Sequence, residues 1–370
     1  MLIEAFDEVL PVLIVTFAAA MILAVVTTPL VRRLALRLEA VDNPDDRRVN
    51  ANPVPRGGGV AVAFAFLAVA VATLVLNDML DAIAIPFTIA PQELAALLIG
   101  GAVATAIGFL DDYYQLRARW QLLGQILVAV LAVAAGITVA YLNNPFGPGT
   151  IVLQGPFAVG FTILWIVGMI NSINFIDGLD GLSSGIALIA ALTLGLISLT
   201  TAISQPFIAV LCFALAGSLL GFLRWNFHPA TIFIGTSGVM FVGYTLAVLA
   251  VLGTAKVAVA LLVLGVPIID TFWIIVRRLA AGSSPFTPDK GHIHHRLLDL
   301  GLSHARTVLV IYAMCVLLAV LSFFLSGTGQ LYAFMGLVLV SGLGLFLLTR
   351  AESGDALEAE TYEASRADEA

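Results

Sequence analysis

The chain has 370 residues, 60% of them hydrophobic and 11% charged, with a formal net charge of −7 and a mean hydropathy of +1.04. Soluble domains carry about 25% charged residues, so an ordinary soluble globule is excluded. The apolar runs are continuous rather than alternating, which excludes an outer-membrane barrel, and they are long enough to cross about 30 Å of hydrocarbon.

In chain order these runs predict helices at 9–31, 58–76, 92–110, 121–142, 158–175, 184–201, 205–222, 237–253, 257–277, 306–326 and 330–349. The first run follows Glu4, Asp7 and Glu8 and precedes Arg32 and Arg33. A signal peptide has the opposite charge order and a shorter core, so a retained first helix is expected. Cys212 and Cys315 both fall inside apolar runs and read as core residues rather than a disulfide or metal pair. The expected fold class is all-α: a polytopic membrane bundle of about eleven transmembrane helices over 1–350, then an acidic, disordered tail over 351–370.

The connections alternate between two kinds. One set is bland and includes Asn143 to Pro156, a Gly/Pro-rich stretch that reads as a small hairpin. The other holds nearly all the basic residues between the spans, and of the 17 Lys and Arg only Lys256 falls in the bland set. The positive-inside rule makes the basic side cytoplasmic, with the N-terminus outside and the C-terminus inside. The expected setting is a bacterial-type inner membrane, multi-pass, with the active site on the cytoplasmic face.

Five loops on that face carry the polar chemistry. The first, from Val41 to Gly59, places Arg48 and Arg56 beside a triple glycine entering a helix. Backbone N–H groups at a helix start with arginines nearby suit a phosphate, although a positive-inside anchor explains the arginines equally well. The second carries adjacent carboxylates, Asp111 and Asp112, then Arg117 and Arg119. Paired acids at a membrane helix end need a cation, either a metal ion or those arginines. In the third, Asn171, Asn174, Asp177 and Asp180 recur every third residue. That spacing lets Asn174 and Asp177 point at one spot, with Asn171 joining from the turn above. Asp180 has a second option as N-cap of the next helix.

The fourth loop offers Arg224, Asn226 and His228, then Phe233 and a Gly235-Thr236-Ser237-Gly238 turn. The fifth gathers His292, His294 and His295, three of the five histidines. A His-x-His-His cluster fits zinc, but without a cysteine and with so many oxygen donors nearby the inventory favours Mg²⁺. The histidines then serve as hydrogen-bond donors to phosphate or as proton carriers. Carboxylates, amides, arginines and histidines on one face fit metal-assisted phosphoryl transfer, with a lipid phosphate as one reactant.

These motifs together resemble the polyprenyl-phosphate N-acetylhexosamine-1-phosphate transferase superfamily over about residues 10–350. The resemblance rests on Pro53-Val-Pro-Arg-Gly-Gly-Gly59, Asp111-Asp112, Asn171-x-x-Asn174-x-x-Asp177-Gly-Leu-Asp180-Gly, Asn226-Phe-His-Pro-Ala230 and His292-Ile-His-His-Arg-Leu297. The His-Ile-His-His form is similar to the N-acetylglucosamine-1-phosphate branch; the related phospho-N-acetylmuramoyl-pentapeptide transferases typically have three consecutive histidines.

The resemblance implies transfer of N-acetylhexosamine-1-phosphate from a UDP-sugar to polyprenyl phosphate, with release of UMP. It implies catalytic roles for Asp111, Asp112 and Asp177, and Mg²⁺ (or Mn²⁺) held by Asn174 with Asp177. Phe233 would stack on uracil, Arg119 would meet phosphate, and His292, His294 and His295 would line the diphosphate or sugar end. Arg48, Arg56 and Asn171 complete the expected substrate contacts. Expected partners are the UDP-N-acetylhexosamine and the polyprenyl phosphate, with a homodimer left open and no nucleic acid.

Three positions depart from the family pattern. Thr236 stands where the pattern has an Asp that ligates Mg²⁺, Asn50 where many relatives have His, and Thr231 where many have Lys. Two other classes stay open at this point. One is a secondary transporter, against which the acids' position at helix ends speaks. The other is a non-catalytic relative that binds lipid phosphate or nucleotide-sugar, for which Thr236 is the support.

Overall fold

A computed structural model of the chain describes residues 6–42, 53–80, 89–147, 149–200, 204–253, 256–280, 282, 292–325 and 327–342. The molecule is helical: α1 (Phe6–Arg37), α2 (Gly59–Leu80), α3 (Pro91–Tyr114), α4 (Ala118–Ala134), α5 (Gly155–Ile176), α6 (Leu182–Ser198), α7 (Pro206–Asn226), α8 (Gly235–Leu252), α9 (Lys256–Val263), α10 (Gly265–Ala280), α11 (Ile293–Asp299) and α12 (His304–Phe324). A further helix covers 327–342.

Each of the eleven expected apolar runs overlaps helix; of the last, 330–349, residues 343–349 lie outside the described residues. Seven of the described helices are long and apolar enough to cross a membrane, or eight if α9 and α10, bent by 81° at their junction, form one broken span. Both α4 and α6 are apolar but have 17 residues each, about 25 Å at 1.5 Å per residue. The expected single helix over 257–277 therefore breaks. Gly265-Val-Pro267 explains this, because Pro267 has no N–H for the preceding turn and its ring crowds that turn's carbonyl. The expected helix over 121–142 also stops early. It ends at Ala134, Gly136 takes φ +103°, and the chain turns into a hairpin of β3 (Tyr141–Asn143) and β4 (Thr150–Val152), pairing Tyr141 with Val152. That hairpin matches the Gly/Pro-rich expectation, begun two residues earlier.

The most enclosed spans are α7 and α8, with 83% and 78% of their apolar windows buried. The α1 helix lies along α7, while α3 and α5 flank α8. In lipid there is no hydrophobic drive between helices, so close backbone packing supplies the attraction. Gly217 and Gly221, four residues apart on α7, supply it. A Cβ on them would stand 2.1 Å from the Phe17 carbonyl oxygen and 2.2 Å from that of Met21 on α1.

A second close approach builds the polar end of the bundle. There Asp42 and Val54 belong to a short antiparallel pair, β1 (Val41–Asp42) and β2 (Val54–Pro55). Beyond it the chain runs alongside Phe233–Ile234: Phe233 N–H donates to Pro55 O (2.8 Å), Gly58 N–H to Phe233 O (2.9 Å) and Gly59 N–H to Ile234 O (2.8 Å). A Cβ on Gly59 would lie 2.0 Å from Gly238 Cα, so the start of α2 meets the start of α8 backbone to backbone. The triple glycine is needed for that contact.

Candidate active site

Two cavities lie at this end, and they differ in chemistry. The smaller, about 300 Å³, is polar and takes in Asp112, Asn174, Asp177, Asp180, Phe233 and Thr236, with Asp42 and Arg56 at its side. The larger, about 1140 Å³, runs along α5 and α10. Its wall is Phe161, Leu164 and Trp165 toward the start of α5, and Asn171 and Asn174 toward its end, about 20 Å further on at 1.5 Å per residue. On α10 the lining likewise passes from Ile268 and Phe272 to Arg278. Asn174 and His295 line both cavities. The apolar channel therefore opens at its polar end onto the polar chamber.

The two adjacent acids of α3 separate in role. Successive helix residues point about 100° apart, so both cannot face one chamber. Asp112 faces the polar cavity and stays buried, its two oxygens accepting the Thr236 N–H (2.7 Å) and Ser237 N–H (3.0 Å). It thereby satisfies the open donors at the start of α8 and meets the positive end of its dipole. Asp111 turns away and lines neither cavity. Its Oδ1 accepts from Leu116 N–H (2.8 Å) and Gln121 Nε2 (2.9 Å), and its Oδ2 accepts the Thr236 hydroxyl proton at 2.6 Å. The structure thus gives Asp111 hydrogen bonds that tie the α3–α4 turn to α8, and of the pair it brings only Asp112 into the chamber.

Asn174 and Asp177 do share the polar cavity, as their spacing predicts. Asp177 ends α5 and accepts a short hydrogen bond from Ser183 Oγ. Burial is the main force on this carboxyl and pushes its pKa up to about 7; Asp112 and Asp180 add to the rise, while Ser183 and Arg56 oppose it. Among the described residues Asp177 Oδ2 and the Asn174 amide carry no protein hydrogen bond, and Asp42, Asp112, Asp177 and Asp180 face one guanidinium, Arg56, which is paired with Asp42. That donor set, oxygen-rich and short of positive charge, fits a hard divalent cation. Asn171 lies one turn back in the membrane cavity, locked to Gln125 Oε1 (2.7 Å) and Val167 O (2.8 Å) through its amide N–H groups.

Asp180 is not the N-cap of α6; that position is Gly181 at φ +79°. Instead Asp180 Oδ2 meets His228 Nδ1 (2.7 Å) and accepts Ala230 N–H (3.0 Å), and its own N–H donates to His304 Nε2 (2.9 Å). Asp180, His228 and His304 stand close enough together to hold a metal ion, as do Asp270, His292 and His294.

The histidines of the fifth loop divide. His292 and His295 line the membrane cavity, whereas His294 lines neither cavity. His294 is 1% exposed and presses on the turn after α5, where a Cβ on Gly178 would lie 2.2 Å from its Nε2. Burial, with His295, His292 and His304 nearby, lowers its pKa far below the usual histidine range. The structure thus packs His294 against the turn after α5 and does not bring it to either cavity with His292 and His295. Arg119 is exposed with its guanidinium 5.5 Å from the Trp120 ring centre, outside both linings, so the expected phosphate contact is not assembled. Arg48 and Asn50 lie outside the described residues. Thr231 holds its own loop, donating from N and Oγ1 to Trp225 O and accepting Arg32 Nε at 3.0 Å. Sequence reasoning missed Asp42, Gln125, Asp270 and His304. Of these only Asp270 carries a signal, a carboxylate inside an apolar helix.

Comparison with known proteins now decides the family. The profile of glycosyl transferase family 4 matches residues 94–254. A probable undecaprenyl-phosphate N-acetylglucosaminyl 1-phosphate transferase of Bacillus subtilis (strain 168) is 35% identical over 312 residues, 83% of this chain and 83% of its own length. The chain belongs to the polyprenyl-phosphate N-acetylhexosamine-1-phosphate transferase superfamily. A decaprenyl-phosphate N-acetylglucosaminephosphotransferase of Mycobacterium tuberculosis (strain ATCC 25618 / H37Rv) is 36% identical over 365 residues, 90% of this chain and 88% of its own. An undecaprenyl-phosphate alpha-N-acetylglucosaminyl 1-phosphate transferase of Yersinia pestis is 29% identical over 301 residues, 78% of each. Membership in this transferase superfamily makes the chain an enzyme and sets aside the transporter alternative.

Proposed function

We propose that this chain transfers N-acetylglucosamine-1-phosphate from UDP-N-acetylglucosamine to a polyprenyl phosphate, releasing UMP, on the cytoplasmic side of a bacterial-type cell membrane. The observation that carries the reading is the meeting of an apolar and a polar cavity at Asn174 and His295. A prenyl chain suits the wall of Phe161, Leu164, Trp165 and Phe272, with its phosphate at the polar end. The sugar nucleotide suits the polar chamber, which lies among the loops that carry most of the basic residues.

Asn174 and Asp177 would hold Mg²⁺ (Mn²⁺ has the same donor preference), with Asp112 facing the same chamber. Bound there, the ion supplies charge neutralisation for a diphosphate. The remaining work belongs to the chain. Phe233, fixed by its backbone bonds to Pro55 and Gly58, offers a flat face for uracil. Arg56 brings positive charge to the chamber and Asp42 holds its guanidinium there. His295, at the junction, can hydrogen-bond an oxygen of either substrate. An oxygen of the lipid phosphate forms the new bond to the sugar-bearing phosphorus as that phosphorus loses its bridge to UMP.

UMP release from purified protein tests the reading. Release should require both UDP-N-acetylglucosamine and a polyprenyl phosphate, stop with chelator and return with Mg²⁺. Turnover that survives chelation would refute the metal's place here. Absence of turnover with every UDP-sugar would refute the reading itself.

A further inference from the structure

The expected site roles leave one buried carboxylate unused. Asp270 sits within α10 at 5% exposure, with both oxygens engaged: Oδ2 meets His292 Nδ1 at 2.7 Å and Oδ1 accepts the Ile293 N–H at 2.8 Å. An ionisable side chain inside an apolar helix is expensive and needs a compensating role. Its partner His292 lines the membrane cavity beside His295 and Arg278. With Nδ1 facing a carboxylate, the ring carries its hydrogen on that nitrogen, which fixes the tautomer and leaves Nε2 as the opposite pole. The ring cannot swing away easily. His294 stacks on it at 5.3 Å between centres, with Phe175 at 6.3 Å and His295 at 6.5 Å.

We propose that Asp270 is a positioning residue for the lipid substrate, holding the His292 ring so that Nε2 meets the phosphate group of an isoprenoid phosphate at the polar end of the membrane cavity. The inference rests on the reading above that this cavity takes the lipid. A phosphate monoester has a second pKa of about 6, so near neutral pH it exchanges between mono- and dianion. One proton then lies between Nε2 and a phosphate oxygen, given by the imidazolium to the dianion or by the P–OH to the neutral ring. No covalent bond forms or breaks in this contact. A carboxylate holds the Nδ1–H by a charge-assisted hydrogen bond; an amide in its place accepts the same hydrogen bond without the charge and holds the ring less firmly.

The test is a mutant cycle on the full chain in detergent: wild type, Asp270→Asn, His292→Gln and the double variant. Binding of farnesyl phosphate is measured alongside UMP release. Each single variant should weaken farnesyl phosphate binding about tenfold, the scale of one hydrogen bond to a charged group, with the KM for UDP-N-acetylglucosamine unchanged. Farnesol, without the phosphate, should bind all four proteins alike. The double variant should bind no worse than His292→Gln, because Asp270 acts through that ring. Multiplying effects, or wild-type binding in a folded Asp270→Asn, would overturn the proposal. Asp270→Glu keeps the charge and shifts it by one methylene, so it should bind between wild type and His292→Gln. Wild-type affinity in both Asp270→Glu and His292→Gln overturns the proposal even if Asp270→Asn fails to fold. Coupled binding in a wild type that releases no UMP would leave the pair standing and refute the transferase reading instead.

Discussion

Asp177→Asn is expected to lower UMP release by about 10²–10³-fold, the scale seen when one charge-stabilising group is removed from a preorganised site. The fold should survive, because the Asn carbonyl oxygen can still accept the Ser183 hydroxyl proton that Asp177 accepts now. Metal-free protein should even gain stability. Burial raises the folded-state pKa of Asp177 from 3.8 to about 7, so the folded state holds a proton that the unfolded chain releases. Stability contributed by that proton is present below pH 3.8 and is lost as pH rises toward about 7. In chelator at pH 8, Asp177→Asn should therefore unfold at a higher temperature than wild type, with the gap closing toward pH 4. Near-wild-type turnover would return Asp177 to a structural role. A lower unfolding temperature at pH 8 would refute the account of its burial.

The second large effect is expected at Thr236. Its hydroxyl donates to Asp111 Oδ2 at 2.6 Å and its N–H donates to Asp112 Oδ1 at 2.7 Å, so a carboxylate there stands against two others. Thr236→Asp removes the hydrogen bond, worth about 1.5–3 kcal/mol when one partner is charged, and adds like-charge repulsion. Metal-free protein should unfold at a lower temperature, and Mg²⁺ should restore it. With one more carboxylate at the shell, the Mg²⁺ giving half-maximal UMP release should fall about tenfold. Thr236→Val separates the two effects, since it loses the hydrogen bond but leaves the Mg²⁺ requirement alone. Unchanged half-saturation in Thr236→Asp would place residue 236 outside the metal shell.

The sequence made the bundle legible because lipid-length apolar runs leave few alternatives, and the period-three series made Asn174 and Asp177 legible as neighbours. What it hid follows from geometry. Asp111 and Asp112 look equivalent in a motif, yet adjacent helix positions face different ways, so one holds α8 from behind while the other enters the chamber. The three histidines of the fifth loop look like one cluster. Its backbone turns into α11 at Ile293, which sends His294 onto Gly178 and leaves His292 and His295 at the cavity. The break between α9 and α10 was signalled by Gly265 and Pro267, and the early end of α4 by Gly136, but apolar runs that continue past such residues mask them. Two-residue strands such as β1 and β2 leave no period to read. Asp270 is legible as an acid within an apolar helix, but its partner His292 lies 22 residues away and nothing in the spacing pairs them.

The central claim is that the two cavities take two different substrates, and steady-state KM values for a pair of variants test it most directly. Gly168 lines the membrane cavity, and a Cβ added there meets nothing within 4 Å, so Gly168→Trp can fill the channel without displacing a helix. Phe233 lines the polar chamber, and its backbone bonds to Pro55 and Gly58 persist in Phe233→Ala. Gly168→Trp should raise the KM for polyprenyl phosphate at least about tenfold and leave that for UDP-N-acetylglucosamine unchanged, since filling the channel excludes the prenyl chain's apolar contacts. Phe233→Ala should do the reverse. If both variants raise the KM of the same substrate, or if Gly168→Trp acts on the sugar nucleotide alone, the two cavities do not divide the substrates and the account is wrong.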